Sequence, residues 1–255
     1  VPPTSPPPRL ATPILRRRIL LRSGAVIVLA GLVVLLVARS TLRQAVYVSE
    51  MGAAGMPTST AFSAALLLVA AGGAMVAVAS RAVRSRLRLL SRWLPSTSIL
   101  VASLCFAFSS QVTCTAGCPL PVGASFTWQD LLHTSAAVIG FAAACVAMLQ
   151  VATAEAQPRV ARLSLAAGVL VAVIAGAGAI LSLLRMSMGV GGTLEFVATG
   201  IAILWLAAYG LSLSGVDEPI TAPARSTVQR GSPHAAGRDP GRAPAPAPML
   251  RPEEP

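Results

Sequence analysis

The chain contains no lysine, and only nine of its 255 residues are aspartate or glutamate. Charged residues make up 11% of it, against about 25% in an ordinary soluble domain. That deficit excludes a surface that faces water throughout. Histidine is nearly absent as well: His133 lies in an apolar stretch and His234 near the end of the chain. Neither H-E-x-x-H nor C-x-x-C occurs, which removes the common short zinc signatures. No G-x-S-x-G, phosphate loop or dinucleotide fingerprint stands in a usable context. Alternating ten-residue strands are missing, which argues against a transmembrane barrel. The two halves share no repeat and no pair of Gly/Pro-broken helices at matching positions, which disfavours an inverted-repeat transporter. No carboxylate lies at the middle of an apolar stretch, which disfavours a proton-coupled pump.

What remains is apolar. Hydrophobic residues make up 55% of the chain, and six stretches reach bilayer length: 19–38, 60–80, 94–112, 131–152, 163–184 and 193–214. A hydrocarbon core of about 30 Å takes about 20 helical residues to cross. Backbone polar groups in lipid need partners within their own segment, so helices are expected. The expected fold is all-α: a polytopic six-transmembrane-helix bundle over residues 19–215, with disordered termini at 1–18 and 216–255. The first apolar run is too long for a cleaved signal peptide and reads as a retained span.

All twenty basic residues are arginine, and the formal net charge is +11. On a soluble protein that charge would point to nucleic acid. Here the arginines segregate. Seventeen fall before or at the start of helix one, between helices two and three, between helices four and five, and in the tail. The other three, Arg39, Arg43 and Arg185, fall on the opposite side. The positive-inside rule then places both termini in the cytoplasm of a multi-pass plasma-membrane protein. Membrane lipids are the expected partners, and no nucleic acid is expected.

The first residues, VPPTSPPPRLATP, are Pro-rich, and the tail carries the low-complexity run APAPAP. Such composition favours extended conformers over packing. Small residues recur at helix-packing spacing: Gly24, Gly31 and Ala38; Ala136, Gly140 and Ala144; Gly168, Ala172 and Gly176. Close intramolecular packing is the first expectation for each seam, and a homo-oligomer contact is the alternative.

Polar residues gather at the non-cytoplasmic helix ends. Tyr47, Ser49 and Glu50 follow helix one, and Gln111 ends helix three. Asp130 and His133 open helix four, and Arg185 and Glu195 flank the loop from helix five to helix six. Polar groups in or near lipid turn toward the bundle or a wet cavity. A polar cavity open to the outside is therefore expected, lined by helices three to six and roofed by the loop around Glu50. Asp130 and His133 are three apart and share a helix face. Thr127-x-x-Asp130 also reads as a capping box, which would spend the carboxylate on the helix start. Arg185 and Glu195 read as a salt bridge, with phosphate binding by Arg185 as the alternative. Cys114 and Cys118, in CTAGCPLP, fall in an outer loop and are expected to form a short disulfide. No metal or cofactor is expected.

YVSEMG after helix one, the six-span layout, and CTAGCPLP followed by D-x-x-H together resemble a bacterial membrane-protein family known only as domain of unknown function nine-nine-eight. The resemblance covers about Ser23 to Gly215 and is carried by Tyr47, Ser49, Glu50, Gly52, Asp130 and His133. It implies six helices and a membrane location, and no activity or cofactor. Multi-span hydrolases of the ceramidase and adiponectin-receptor kind need several histidines around zinc, and only His133 is available within the bundle.

The expected function is binding of a lipid headgroup or small amphiphile, without chemistry. The alternatives are a lipid-directed hydrolase using Glu50, Asp130 and His133, a transporter, or a membrane scaffold.

Overall fold

The computed structural model describes residues 8–43, 46–121, 123–154, 158–184 and 188–215. The expected disordered segments at 1–7 and 216–255 lie outside these residues, as do Gln44, Arg185, Met186 and His234. Six α-helices follow one another: α1 (Pro8–Ser40), α2 (Ser59–Ala79), α3 (Pro95–Gln111), α4 (Trp128–Ala152), α5 (Pro158–Leu183) and α6 (Met188–Ser214). Among the described residues there is no strand, only an isolated bridge between Ser85 and Ala154. Five helices are long and apolar enough to cross a membrane: Pro13–Ser40, Ser59–Ala79, Trp128–Ala152, Pro158–Leu183 and Gly189–Ser214. The sixth, α3, has 17 residues, which is about 25 Å of helix.

The first helix departs from expectation. It starts at Pro8, so the part of 1–18 expected to be disordered is helical from Pro8 onward. Arginine is a good helix former, and Arg16, Arg17 and Arg18 extend the span past its apolar run without breaking it. Arg17 Nε ties this extension to the Ala79 carbonyl at the end of α2, at 3.1 Å.

Each helix packs on the next in sequence, and α6 returns to α1, so the six form a closed ring. Glycine sets the closest approach. A Cβ on Gly72 would lie 2.5 Å from the Gly24 carbonyl, and one on Gly31 would lie 2.9 Å from the Ala65 carbonyl. The small-residue seam of α1 is thus spent on α2. The seam of α5 behaves differently. Gly168 abuts Met148 of α4, but Ala172 is exposed and Gly176 has no neighbour within 4 Å of its Cβ position. Intramolecular packing accounts for only the first residue of that seam.

Two apolar clusters fill the ring. One, around Met148, Val171, Trp205 and Tyr209, lies toward the arginine-rich loop 81–93. The other, around Leu35, Met51, Phe62 and Ile203, lies toward the opposite end, where the loops at 46–58 and 112–127 meet.

Candidate functional site

The segment after α1 folds over the end of the ring as a roof. Its Ser49–Gly52 stretch makes a single 3-10 turn. Gly52 sits under the Phe62 ring, and any side chain there would strike the ring. Gly191 gives the same clearance to the Tyr47 hydroxyl, and a Cβ on Gly192 would lie 2.5 Å from the Val46 carbonyl. The start of α6 is therefore bare so that residues 46–47 can lie on it. Thr58 Oγ1 donates to the Met51 carbonyl at 2.7 Å. Glu195, on α6, accepts the Val48 N–H at 3.0 Å, and the Ser49 N–H and hydroxyl face the same carboxylate.

The loop from α3 to α4 is pinned by Asp130, which is fully buried. Its carboxylate accepts the Thr115 N–H at 2.8 Å, the Thr115 hydroxyl at 2.8 Å and the Thr127 hydroxyl at 2.5 Å. Thr127 is also the N-cap of α4, accepting the Asp130 N–H at 3.0 Å. His133, one turn on, meets the Val112 carbonyl through Nδ1 at 2.7 Å. A carbonyl only accepts, so Nδ1 carries a proton and donates in this bond. Cys114 and Cys118 are joined as a disulfide, with Cα atoms 5.1 Å apart. The turn that brings them together passes through Gly117 (φ 78) and Cys118 (φ 44), and Cys118 is the only non-glycine with positive φ among the described residues. The Cys114 carbonyl accepts the Ala54 N–H at 3.1 Å, which joins this loop to the roof.

Beneath the roof, on the axis of the ring, is a cavity of about 60 Å³. A second, of about 50 Å³, lies deeper and shares Val69, Phe106, Ala202 and Ile203 with the first. The upper cavity is walled by α1, α2, α3, α4 and α6, and no residue of α5 reaches it. This corrects the expected lining by helices three to six: α1 and α2 line the cavity, and α5 packs into the other cluster instead. The wall is also mostly apolar, not polar as expected. Its polar groups are Ser49 and Glu195 under the roof, with Ser109, His133 and Thr199. The Ser109 hydroxyl is buried with no hydrogen-bond partner.

The residues singled out in the sequence thus separate. Ser49, His133 and Glu195 reach the cavity, while Tyr47 and Glu50 belong to the roof without lining it. Gln111 is exposed at the end of α3, where its amide donates to Ser110 Oγ at 3.0 Å. Asp130 is a clamp, its oxygens taken up by Thr115 and Thr127. Arg185 lies outside the described residues, so its pairing with Glu195 does too. Ser109 and Thr199 belong to the same polar helix ends, whereas Phe106 was not singled out from the sequence. Donor atoms of Cys114, Cys118 and His133 lie within 4.8 Å of one another. The disulfide occupies both sulfurs, which leaves that cluster one free donor.

The model of a family described as "Protein of unknown function (DUF998)" matches residues 23–212. No curated protein and no solved structure matches the chain. The chain therefore belongs to the DUF998 family, as the YVSEMG and CTAGCPLP motifs led us to expect.

Proposed function

We propose that this protein is a six-span plasma-membrane protein, with both termini cytoplasmic, that binds a slim amphiphile in the roofed cavity at the centre of the ring. The single observation that carries the reading is Ser109. Ser109 is 1% exposed, lines the cavity together with His133, and has a buried hydroxyl with no partner. A buried hydroxyl without a partner costs about 1–3 kcal/mol, and a ligand group that bonds it recovers part of that. The apolar walls below suit a chain, and the groups beneath the roof suit its polar end.

Size narrows the class. Cavities for drug-sized ligands measure about 300–1,000 Å³. The resting space of about 60 Å³ takes one thin chain or a small polar head, not a bulky glycan. Phe106, stacked edge-on against Phe141 with ring centroids 5.5 Å apart, lines both cavities. Its rotation would join them along the axis.

The spent carboxylate supports binding over catalysis. Asp130, the natural partner for a catalytic His133, already accepts three hydrogen bonds outside the cavity. Native mass spectrometry of the detergent-purified chain and of Ser109→Val tests the proposal. The wild type should carry a small amphiphile that Ser109→Val holds less well. A bare wild-type polypeptide would sink the reading.

A further inference from the structure

The opposite end of the molecule carries a surface that the cavity does not explain. Between Arg81 and Trp93 the chain holds five arginines and no acidic residue. Such loops are common beside membrane spans and are usually pliable. This one is tied down along its length. Val83 is buried in the core. Ser85 Oγ and Thr153 Oγ1 are 2.8 Å apart, and the Arg86 N–H donates to the Thr153 carbonyl at 3.0 Å. Gln150, 1% exposed near the end of α4, is the main latch. Its Nε2 donates to the Trp93 carbonyl at 2.7 Å and the Leu90 carbonyl at 3.3 Å, and its Oε1 accepts the Ser98 hydroxyl at 2.8 Å.

The backbone held in this way turns apolar side chains outward. Leu89 is 82% exposed, Trp93 62% and Leu87 51%. Arg81, Arg84, Arg88 and Arg92 are exposed among them. Large apolar groups interleaved with cations suit one environment in particular. Leucine and tryptophan side chains enter the boundary between headgroups and acyl chains, while guanidinium groups stay at the phosphate level. The loop joins α2 to α3 at the end of the ring, which is where headgroups would stand. Guanidinium groups bind phosphate oxygens in pairs.

We infer that residues 81–93 form a preorganised docking ridge for anionic phospholipid headgroups. Gln150 holds the backbone, Arg84, Arg88 and Arg92 take the phosphates, and Leu89 and Trp93 insert beside them. The ridge acts independently of the cavity, from which it is separated by the Met148–Tyr209 cluster.

The test uses the full chain in nanodiscs of phosphatidylcholine with a minority of phosphatidylglycerol. After extraction into mild detergent, retained lipids are counted by native mass spectrometry. The wild type should retain phosphatidylglycerol well above its share of the bilayer. Replacing surface charges in Arg84→Gln/Arg88→Gln/Arg92→Gln should cut that enrichment by about fivefold or more. Gln150→Ala keeps every arginine and should also lower it, which diffuse loop charge would not require. Where Gln150→Ala does not yield monodisperse protein, the exposed pair Leu89→Ser/Trp93→Ser takes its place and should lower retention. Repeating the charge variant in a Ser109→Val background, where cavity binding is weakened, should give the same fold-loss of phosphatidylglycerol, which separates this inference from the cavity reading. No enrichment in the wild type would overturn the inference and point the ridge at a protein partner. Equal enrichment in the charge variant, or in the variant that disturbs the ridge with its arginines intact, would overturn it too.

Discussion

Glu195 and Val48 are 147 residues apart in the chain, yet the carboxylate of one accepts the backbone N–H of the other at 3.0 Å. This bond fastens the roof to the first turns of α6. Removing one partner of a buried hydrogen bond costs about 1–3 kcal/mol. Glu195→Ala should therefore destabilise the protein by about that much, while Glu195→Gln, which keeps an acceptor, should lose less. Hydrogen exchange reports the effect directly, since the Val48 and Ser49 amides should lose protection before the helices do. Unchanged protection at those amides would show that the roof is held elsewhere.

Asp130 is expected to be a structural residue with no direct part in ligand binding. Asp130→Ala strands three buried or half-buried donors on Thr115 and Thr127. A loss of about 3 kcal/mol or more is expected, because each unpaired polar group costs about 1–3 kcal/mol. Limited proteolysis should then cut between Val112 and Thr127. A variant that stays folded and uncut but loses bound amphiphile would reassign Asp130 to the ligand.

These two clamps show how far the sequence was readable. Helix existence followed from apolar length, and the start of α4 followed from Thr127 and Asp130. The capping role of Thr127 was legible because it is local. The other half of the clamp, Thr115, was not, because a loop conformation has no periodicity to read. Ser49, His133 and Glu195 were legible as polar groups at helix ends. The walls from α1 and α2 were not, because Gly31 and Ala65 look the same whether they face a neighbour or a cavity. Gln150 left a signal that went unused: a lone amide near the end of an apolar helix, with no partner on its own helix, needs one from elsewhere.

Phe106 lines both cavities, so Phe106→Ala should widen the way between them. The side chain is only half-buried, so the substitution should cost less than the range of about 3–5 kcal/mol for a fully buried aromatic truncated to alanine. It should also raise the mass of amphiphile that the purified chain retains, because the enlarged space admits longer chains. A destabilised variant with an unchanged bound mass would mean that the lower cavity is not used.

The Cys114–Cys118 disulfide closes a ring of only a few residues. The loop-entropy relation gives about 2 kcal/mol for a ring this small. Cys114→Ser/Cys118→Ser should lower stability by that amount or less, and the Thr115–Asp130 bonds should survive. Thermal unfolding of the pair variant, with and without reductant, checks this: reductant should lower the midpoint of the wild type and leave the variant unmoved.

The short helix α3 decides the topology. With five crossings the termini fall on opposite sides, and with six they fall on the same side. Two facts favour a crossing. Helix α3 packs between α2 and α4 as a full member of the ring, and exposed Trp93 and Trp128 flank α3 and the loop after it, where interfacial aromatics are expected of a span. Its length of about 25 Å falls a few ångströms short of a typical hydrocarbon core, a mismatch that a bilayer absorbs by local thinning. If α3 crosses, Arg88 and Ala124, both exposed in the loops that flank it, lie on opposite sides. In a variant lacking the four native cysteines, Arg88→Cys and Ala124→Cys should react with a membrane-impermeant maleimide from opposite sides of the membrane. In intact cells only Ala124→Cys should label, and Arg88→Cys should label after lysis. Labelling of both from one side would leave five spans and move the termini apart.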